Sequence, residues 1–391
     1  MKLTKILFLI AAFAVFNSVF SQTTPTPTPS TTDDQEVRNS VLMVKSIPVT
    51  GLSVKELKDL ENGTNLMKAE KYEEAIPFFT NVIKTNSKAA IAFNNRGYSY
   101  LQIGKLDLAI EDFNTVLKIS EFAITYSNRG IAFVRKGDLQ NALVDFNKAI
   151  QLNPKDPLYY NNRADVYLQS GNFQLALADQ NKAILLSPKV AHFHSNRCFT
   201  FVKMQSFESA LKDCNEAIKL NPKMAFAFAN RGSAYILVGS YESALEDFDA
   251  AIKLDNSYQM FFVNRGAILL NLDRSEEAVE SFTKAIEMKP SAMIYLYRST
   301  AYTKLDKHEL ATADLNKAIE LEPNNAVIYN NRGIYYLNNK KEVLALADFT
   351  KAIELNPQFA LAYRNRAYLY NLLGEKEKAQ ADEKKADALE K

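Results

Sequence analysis

Apolar side chains recur along this chain on two nested scales. Over short stretches they stand three or four residues apart, which marks one face of a helix. Over long stretches the whole arrangement repeats every 33 or 34 residues, most plainly in the alanine at Ala75, Ala109, Ala142, Ala176, Ala210, Ala244, Ala278, Ala311, Ala345 and Ala379. An arginine keeps the same beat at Arg96, Arg129, Arg163, Arg197, Arg231, Arg265, Arg298, Arg332 and Arg366, usually followed by Gly or Ala. No single globular core imposes such a period, whereas a stack of near-identical helical hairpins does.

Take the unit 90–122, with Ala90 as position 1. Phe93, Gly97 and Tyr100 fall at positions 4, 8 and 11 and share a face of a first helix. Ala109, Phe113 and Val116, at 20, 24 and 27, share a face of a second helix, and Gly104-Lys105-Leu106-Asp107 supplies the turn. Later units close on a proline, as at Asn153-Pro154, Ser187-Pro188, Asn221-Pro222 and Asn356-Pro357, which ends the second helix. Small residues at 8 and 20 let the two helices approach closely, and bulky ones at 4, 11 and 24 fill the space between neighbouring hairpins.

The pattern resembles the tetratricopeptide repeat (TPR) family. The best single match is AFANRGSAYILVGSYESALEDFDAAIKLDN, residues 227–256. The resemblance implies an all-α fold, a right-handed superhelical solenoid of about ten helix-turn-helix repeats whose first helices line a concave groove. The repeats fall at 56–89, 90–122, 123–156, 157–190, 191–224, 225–258, 259–291, 292–325, 326–359 and 360–391, which predicts twenty helices from Glu56 onward. Ser53-x-x-Glu56 reads as a capping box before the first helix. The last unit has Glu383 where others carry Phe, in a run that is polar outside its alanines, as a terminal helix with no outer neighbour requires.

Ahead of the repeats the composition changes. Lys2 and Lys5 precede an uninterrupted apolar run, Ile6 to Phe16, and a polar break with Val19 and Ser21, which together read as a cleavable signal peptide over 1–21. The apolar run is shorter than the roughly 20 residues that span a bilayer, so no stable membrane insertion is expected after cleavage. The expected location is therefore outside the cytoplasm: periplasmic, cell-surface or secreted. Residues 22–34 form a Pro/Thr-rich linker, extended and solvated. The pre-repeat segment 35–55 carries Val37, Val41, Leu42, Val44, Ile47 and Val49, which suit either a short strand or packing on the first repeat.

The 391 residues carry 47 Lys plus Arg against 45 Asp plus Glu, a near balance that argues against nucleic acid as the main partner. P-loop, HExxH, GxSxG and CxxC motifs are absent, and the repeats leave no room for a catalytic domain, so neither an enzyme nor a cofactor is expected. His192 and His194 stand two apart and point in different directions from a helix, a weak metal pair. Cys198 and Cys214 occupy positions 8 and 24 of one unit, both interior, and burial favours free thiols over a disulfide.

Two polar registers remain. The arginine at position 7 is matched by an aspartate at position 23 in eight of nine units: Asp112, Asp145, Asp179, Asp213, Asp247, Asp314, Asp348 and Asp382. Such co-occurrence predicts a bidentate pair joining the two helices of a hairpin, with pairing to the preceding unit as the alternative. Position 6 holds asparagine at Asn95, Asn128, Asn162, Asn196, Asn230, Asn264, Asn331 and Asn365, interrupted by Glu61 and Tyr297. Each costs about 0.5 kcal/mol relative to Ala in a helix, so each needs a compensating hydrogen bond. In the TPR family this position faces the groove, and the ladder is similar to the peptide-binding groove of O-GlcNAc transferase. That resemblance implies an extended peptide gripped by its backbone, against the plainer reading that each Asn bonds within the scaffold.

Among the other groove positions (2, 5, 9, 12 and 13), Ile91, Ile124, Phe226, Met260 and Met293 are apolar, and Lys68, Arg135, Lys203 and Lys304 are basic. Asp165 is the sole carboxylate. The Lys pair at positions 2 and 5 of a chaperone-binding carboxylate clamp is missing. The expected function is a non-catalytic interaction scaffold that binds a protein or peptide segment. The alternative is an envelope structural protein packing on itself or on polysaccharide, which leaves self-association open.

Overall fold

The computed structural model describes residues 47–390. The expected leader at 1–21, the linker at 22–34 and the pre-repeat segment up to residue 46 lie outside the described residues. Among the described residues every regular element is a helix. The first unit of the chain, ending at Gly239, holds α1 (Val54–Lys68), α2 (Tyr72–Thr85), α3 (Ala90–Gln102), α4 (Leu106–Ile119), α5 (Ala123–Arg135), α6 (Leu139–Leu152), α7 (Pro157–Gln169), α8 (Phe173–Leu186), α9 (Ala191–Lys203), α10 (Phe207–Leu220) and α11 (Ala225–Leu237). The second, from Ser240 onward, holds α12 (Tyr241–Leu254), α13 (Gln259–Asn271), α14 (Ser275–Met288), α15 (Ala292–Lys304), α16 (His308–Leu321), α17 (Ala326–Asn338), α18 (Glu342–Leu355), α19 (Ala360–Leu372) and α20 (Lys376–Leu389). Twenty helices in consecutive pairs match the expectation of about ten repeats.

The two helices of a pair are buried differently. Second helices bury one stripe, as in α4, where Ala109, Asp112, Phe113 and Val116 point inward. First helices are flanked on two sides, by their own second helix and by the preceding pair, so α3 buries nine residues, from Ala90 to Leu101. Ser53 caps α1 in the expected capping box, with Glu56 reaching back to the Ser53 N–H. Ahead of it, residues 47–52 form no regular element, and Ile47 packs with Leu60 and Met67 of the first repeat. Glu383 on α20 is exposed, and that helix buries only Ala379, Asp382 and Ala386.

Each hairpin turns at position 15 with a positive φ. Glycine takes it at Gly104, Gly137, Gly171, Gly239 and Gly374; Glu70, Gln205, Asp273, Asp306 and Lys340 adopt it at some cost. The glycine at position 8 has a different reason. A Cβ on Gly97 would lie 2.9 Å from the Phe113 ring, and on Gly266 2.6 Å from Phe282. The position-24 ring therefore lies directly on the first-helix backbone.

In the fifth repeat this glycine and phenylalanine are replaced by Cys198 and Cys214, and the structure joins them in a disulfide, with Cα atoms 5.4 Å apart. This corrects the expectation of free thiols. Positions 8 and 24 already face each other across the hairpin, and without the ring two short side chains meet at bonding distance.

The repeated arginine links both neighbours. Arg96, Arg129, Arg163, Arg197, Arg298, Arg332 and Arg366 each grip the position-23 Asp of their own hairpin through Nε and Nη2, at 2.5–2.9 Å. Their Nη1 donates to position 25 of the preceding repeat, at Thr80, Asn114, Asn147, Asn181, Thr283, Asn316 and Thr350, over 2.6–3.2 Å. Arg231 does the same to Asn215; Arg231 and Asp247 fall on either side of the unit boundary. Rings at positions 4 and 11 cover the guanidinium on both sides, as Tyr160 and Tyr167 do for Arg163. Arg265, whose unit has Ser281 in place of Asp, turns its Nε to Asp249 of the preceding repeat and its Nη1 to Ser281. The Arg–Asp pair is thus the one within the hairpin, the preceding repeat being reached through position 25, and the Arg265 unit, which lacks the Asp, pairs instead with a carboxylate of the preceding repeat.

Replacing Arg163 or Asp179 by Ala strands a partly buried charge and is expected to cost about 3 kcal/mol in denaturant unfolding. The double variant should lose less than the sum, and Arg163→Lys should not restore stability because an ammonium lacks the planar fork. Additive losses would refute the coupling. Separately, reduction should lower the melting temperature of the parent protein. A Cys198→Gly, Cys214→Phe double variant, which restores the packing seen at Gly97 and Phe113, should fold and melt at the same temperature with or without reductant.

Candidate functional site

The first helices carry the asparagine register, and the structure settles where these side chains sit. Asn95, Asn128, Asn162, Asn196, Asn230, Asn264 and Asn365 are buried and Asn331 is half-buried, so the register lies within the packing of the first helices rather than open to solvent. Four amides reach the position-5 residue of the preceding first helix. Asn162 Nδ2 donates to Ser127 Oγ (3.4 Å), Asn196 Nδ2 to Asn161 Oδ1 (3.0 Å), Asn230 Nδ2 to the Ser195 carbonyl and Oγ, and Asn365 Nδ2 to Asn330 Oδ1 (2.8 Å). Asn95 accepts from its neighbour Asn94 at 3.4 Å. The ladder asparagines are thus joined through position 5 and not to one another. Of the two interruptions, Glu61 is exposed, and Tyr297 stacks on Phe282 with centroids 5.5 Å apart.

A bond through one amide hydrogen does not exhaust an asparagine, which keeps a second hydrogen and its carbonyl oxygen. The scaffold bond fixes the amide plane and does not engage these remaining groups. The position-5 partners escaped the sequence reading, as did the position-25 partners of the arginines. The latter were legible: the residue two after the repeated Asp or Ser is Asn, Asp or Thr in every repeat from Asn114 to Thr350.

The fourth and fifth repeats, 157–224, depart most from the pattern. Gln180 stands where others have Phe, and its Nε2 donates to the Asn196 carbonyl. His194 takes the place of a position-4 ring; its Nε2 lies 2.9 Å from the Pro188 carbonyl and its Nδ1 3.5 Å from Asp213. The second distance suits an ion pair but falls outside hydrogen-bond geometry. His192 is buried on the same helix and faces elsewhere, so the two histidines do not form a pair. Among the described residues, buried side-chain atoms without a hydrogen-bond partner are Asn95 Nδ2, Asp165 Oδ1, Gln180 Oε1, His194 Nδ1 and Asn196 Oδ1. All but the first belong to these two repeats.

Titration follows the packing. Burial pushes Asp112 and Asp145 up, against the arginines that hold them. Burial also pushes Asp213 up, but Arg197 and His194 together outweigh it and the carboxyl ends below the usual range. Burial lowers His194, and Asp213 with the Pro188 carbonyl reverses this to a net rise. His192, with burial alone, falls to about 4. Asp165 has no such partner, and burial alone raises it to about 8.

Family models described as tetratricopeptide repeat or TPR repeat match residues 60–124, 130–171, 158–190, 200–258, 261–291, 294–325, 326–359 and 349–381. No match was found among curated protein sequences. Among solved structures, a tetratricopeptide repeat protein from Parabacteroides merdae is 24% identical over 63% of this chain and 98% of its own, with a TM-score of 0.48. A TPR protein from Thermus thermophilus is 22% identical over 47% of this chain and 98% of its own, with a TM-score of 0.41. A monomeric mutant of IFIT1, with Gppp-AAAA, is 16% identical over 92% of this chain and 96% of its own, with a TM-score of 0.53. At such identities these likenesses bear on the fold alone.

Asp165 gives a pH dependence with a definite sign. The folded state holds its proton up to about 8, whereas an unfolded Asp releases it near pH 4. Between these values the folded state binds more protons, so stability falls as pH rises. The melting temperature of the parent protein should drop more between pH 5 and pH 8 than that of Asp165→Asn; equal slopes would show that Asp165 ionises freely.

Proposed function

The chain belongs to the tetratricopeptide repeat family, and from that membership we propose that it is a non-catalytic scaffold holding an extended polypeptide segment along its first helices, outside the cytoplasm. Proteins of this fold typically serve as interaction scaffolds. The observation that carries the finer reading is the oriented asparagine register. Asn162, Asn196 and Asn230 repeat at 34-residue spacing on α7, α9 and α11, each fixed by the preceding helix. An extended peptide offers alternating N–H and C=O groups irrespective of its sequence, which is what a row of fixed primary amides recognises, as the likeness to the O-GlcNAc transferase groove implies. Fixing the amides beforehand spares the entropy of ordering them on binding.

Two features support export. A disulfide between Cys198 and Cys214 belongs in an oxidising compartment, and the basic-apolar-polar order of residues 1–21 reads as a signal peptide. The rival reading, an envelope protein packing on itself or on polysaccharide, calls for a continuous apolar outer surface. Exposed leucines do occur at position 19 of second helices, at Leu108, Leu175, Leu310 and Leu344, but Asn141, Ser209, Ser243 and Glu277 take that position in the repeats between. At position 19 no run exceeds two neighbouring repeats, whereas at position 30 exposed Leu254, Met288 and Leu321 follow one another. The near balance of charge speaks against a polyanion such as the RNA beside IFIT1.

Replacing Asn162, Asn196, Asn230 and Asn264 together by Ala should weaken a partner captured on the mature chain at least about a hundredfold, with several backbone hydrogen bonds lost at once. Because these amides also join helices, a stability loss of about 1 kcal/mol per residue is expected, so circular dichroism must show the variant folded. A folded quadruple variant that holds the partner as tightly as the parent would rule out the register as the binding element.

A further inference from the structure

We propose that Asp165, with the Asn196 side-chain oxygen, forms a subsite on the first-helix face that takes one basic side chain, Lys or Arg, of the bound peptide. The inference rests on the groove reading above and narrows it to a ligand class. Asp165 is at position 9 of α7, the sole carboxylate among positions 2, 5, 9, 12 and 13 of the repeats. It is 7% exposed and its Oδ1 has no hydrogen-bond partner. One turn earlier on the same helix face, Asn161 accepts the Asn196 amide hydrogen, which leaves Asn196 Oδ1, on a residue 2% exposed, without a donor.

Two oxygens from adjacent first helices therefore lack donors, one on a carboxyl group and one held in place by its own amide bond. Buried acceptors are normally satisfied, and an exception calls for an occupant or a role. A hydrophobic side chain would leave both unpaired, and an acidic one would add repulsion. An ammonium or guanidinium brings several N–H donors and a positive charge that favours the ionised carboxylate, so its binding displaces the proton that burial keeps on Asp165 in the free protein.

The nearby basic residues are engaged elsewhere. Arg135 on α5 donates to the Leu101 carbonyl at 2.6 Å, and Lys203 on α9 lies over the Phe199 ring at 5.3 Å. Burial is the single cause of the shift at Asp165, with no contribution from either cation. His192 and Lys203, the titratable groups on α9 beside it, are both pushed toward their neutral forms by burial. Among the described residues no cation contributes to the shift of this carboxyl group, and charge complementarity points to one from the ligand.

The test uses synthetic peptide pools of about twelve residues, long enough when extended to cross four first helices. The central residue is fixed as Arg, Lys, norleucine or Glu and the flanks are randomised without charge. Binding to the full mature chain is followed by fluorescence anisotropy. The parent protein should bind the Arg and Lys pools at least about tenfold better than the norleucine pool and reject the Glu pool. Asp165→Asn should fold with equal or greater stability, keep the norleucine affinity and lose the preference for Arg and Lys.

If the pools bind the parent alike, or Asp165→Asn keeps the preference, the basic subsite is wrong. The groove reading then still stands, provided that the quadruple asparagine variant loses all pools. If that variant binds every pool as the parent does, the groove reading itself falls. A parent protein that binds no pool above a serum albumin control overturns both.

Discussion

Nine of the ten repeats carry one guanidinium at the junction. Where the pattern is complete, as at Arg163, its Nε–Nη2 edge closes a hairpin by gripping an aspartate, its Nη1 corner fastens that hairpin to the one before, and two rings, one turn to either side, cover its faces. A lysine would make only a point contact there, and a hydrophobic side chain would fill the space without fixing an angle. Because the two polar links leave the same rigid plane, the crossing of a hairpin and its stacking on its neighbour are set together. A repeat array has no central core to enforce alignment, so a directional element at each junction has to supply it.

This also explains how one repeat tolerates substitutions that would be costly in a globular core. The fifth repeat lacks the position-8 glycine, the position-24 phenylalanine and the position-4 ring, and still keeps Arg197 on Asp213 and Asn181. The disulfide takes over the packing of Gly and Phe, and His194, near Asp213, stands where a ring would cover Arg197. Asp213 then has two cationic neighbours where Asp112 and Asp145 have one, which is why it alone of the three is shifted toward the ionised form.

The helices and turns were legible in the sequence because each rests on a residue type repeated many times: the alanine at 20 ten times, the arginine at 7 nine times, the proline after the second helix six times. Pairing of Arg with Asp was legible for the same reason. What escaped was anything that depended on a single copy or on the neighbour's register. The disulfide occurs once, and burial of two cysteines looks the same from the sequence whether or not they are joined. The depth of the asparagines escaped because a helix face can be counted from spacing, but how far the preceding helix covers it cannot. Asn161, Ser127 and Ser195 became visible as partners only when the first helices were placed side by side.

The departures from the pattern are not spread evenly. A scaffold that only needed to be long would keep every junction alike, since each exception costs stability and gains nothing in shape. Here the unpaired buried oxygens of Asp165, Gln180 and Asn196 and the disulfide lie within two consecutive repeats. A local covalent link beside unsatisfied polar groups has a physical logic: it holds the fifth hairpin closed where the helices around it carry buried atoms that the scaffold leaves unpaired. Near-uniform junctions make most of the array, with a further exception at Arg265 and Ser281, and the stretch that gathers the unpaired oxygens is where an array of interchangeable parts acquires a position of its own.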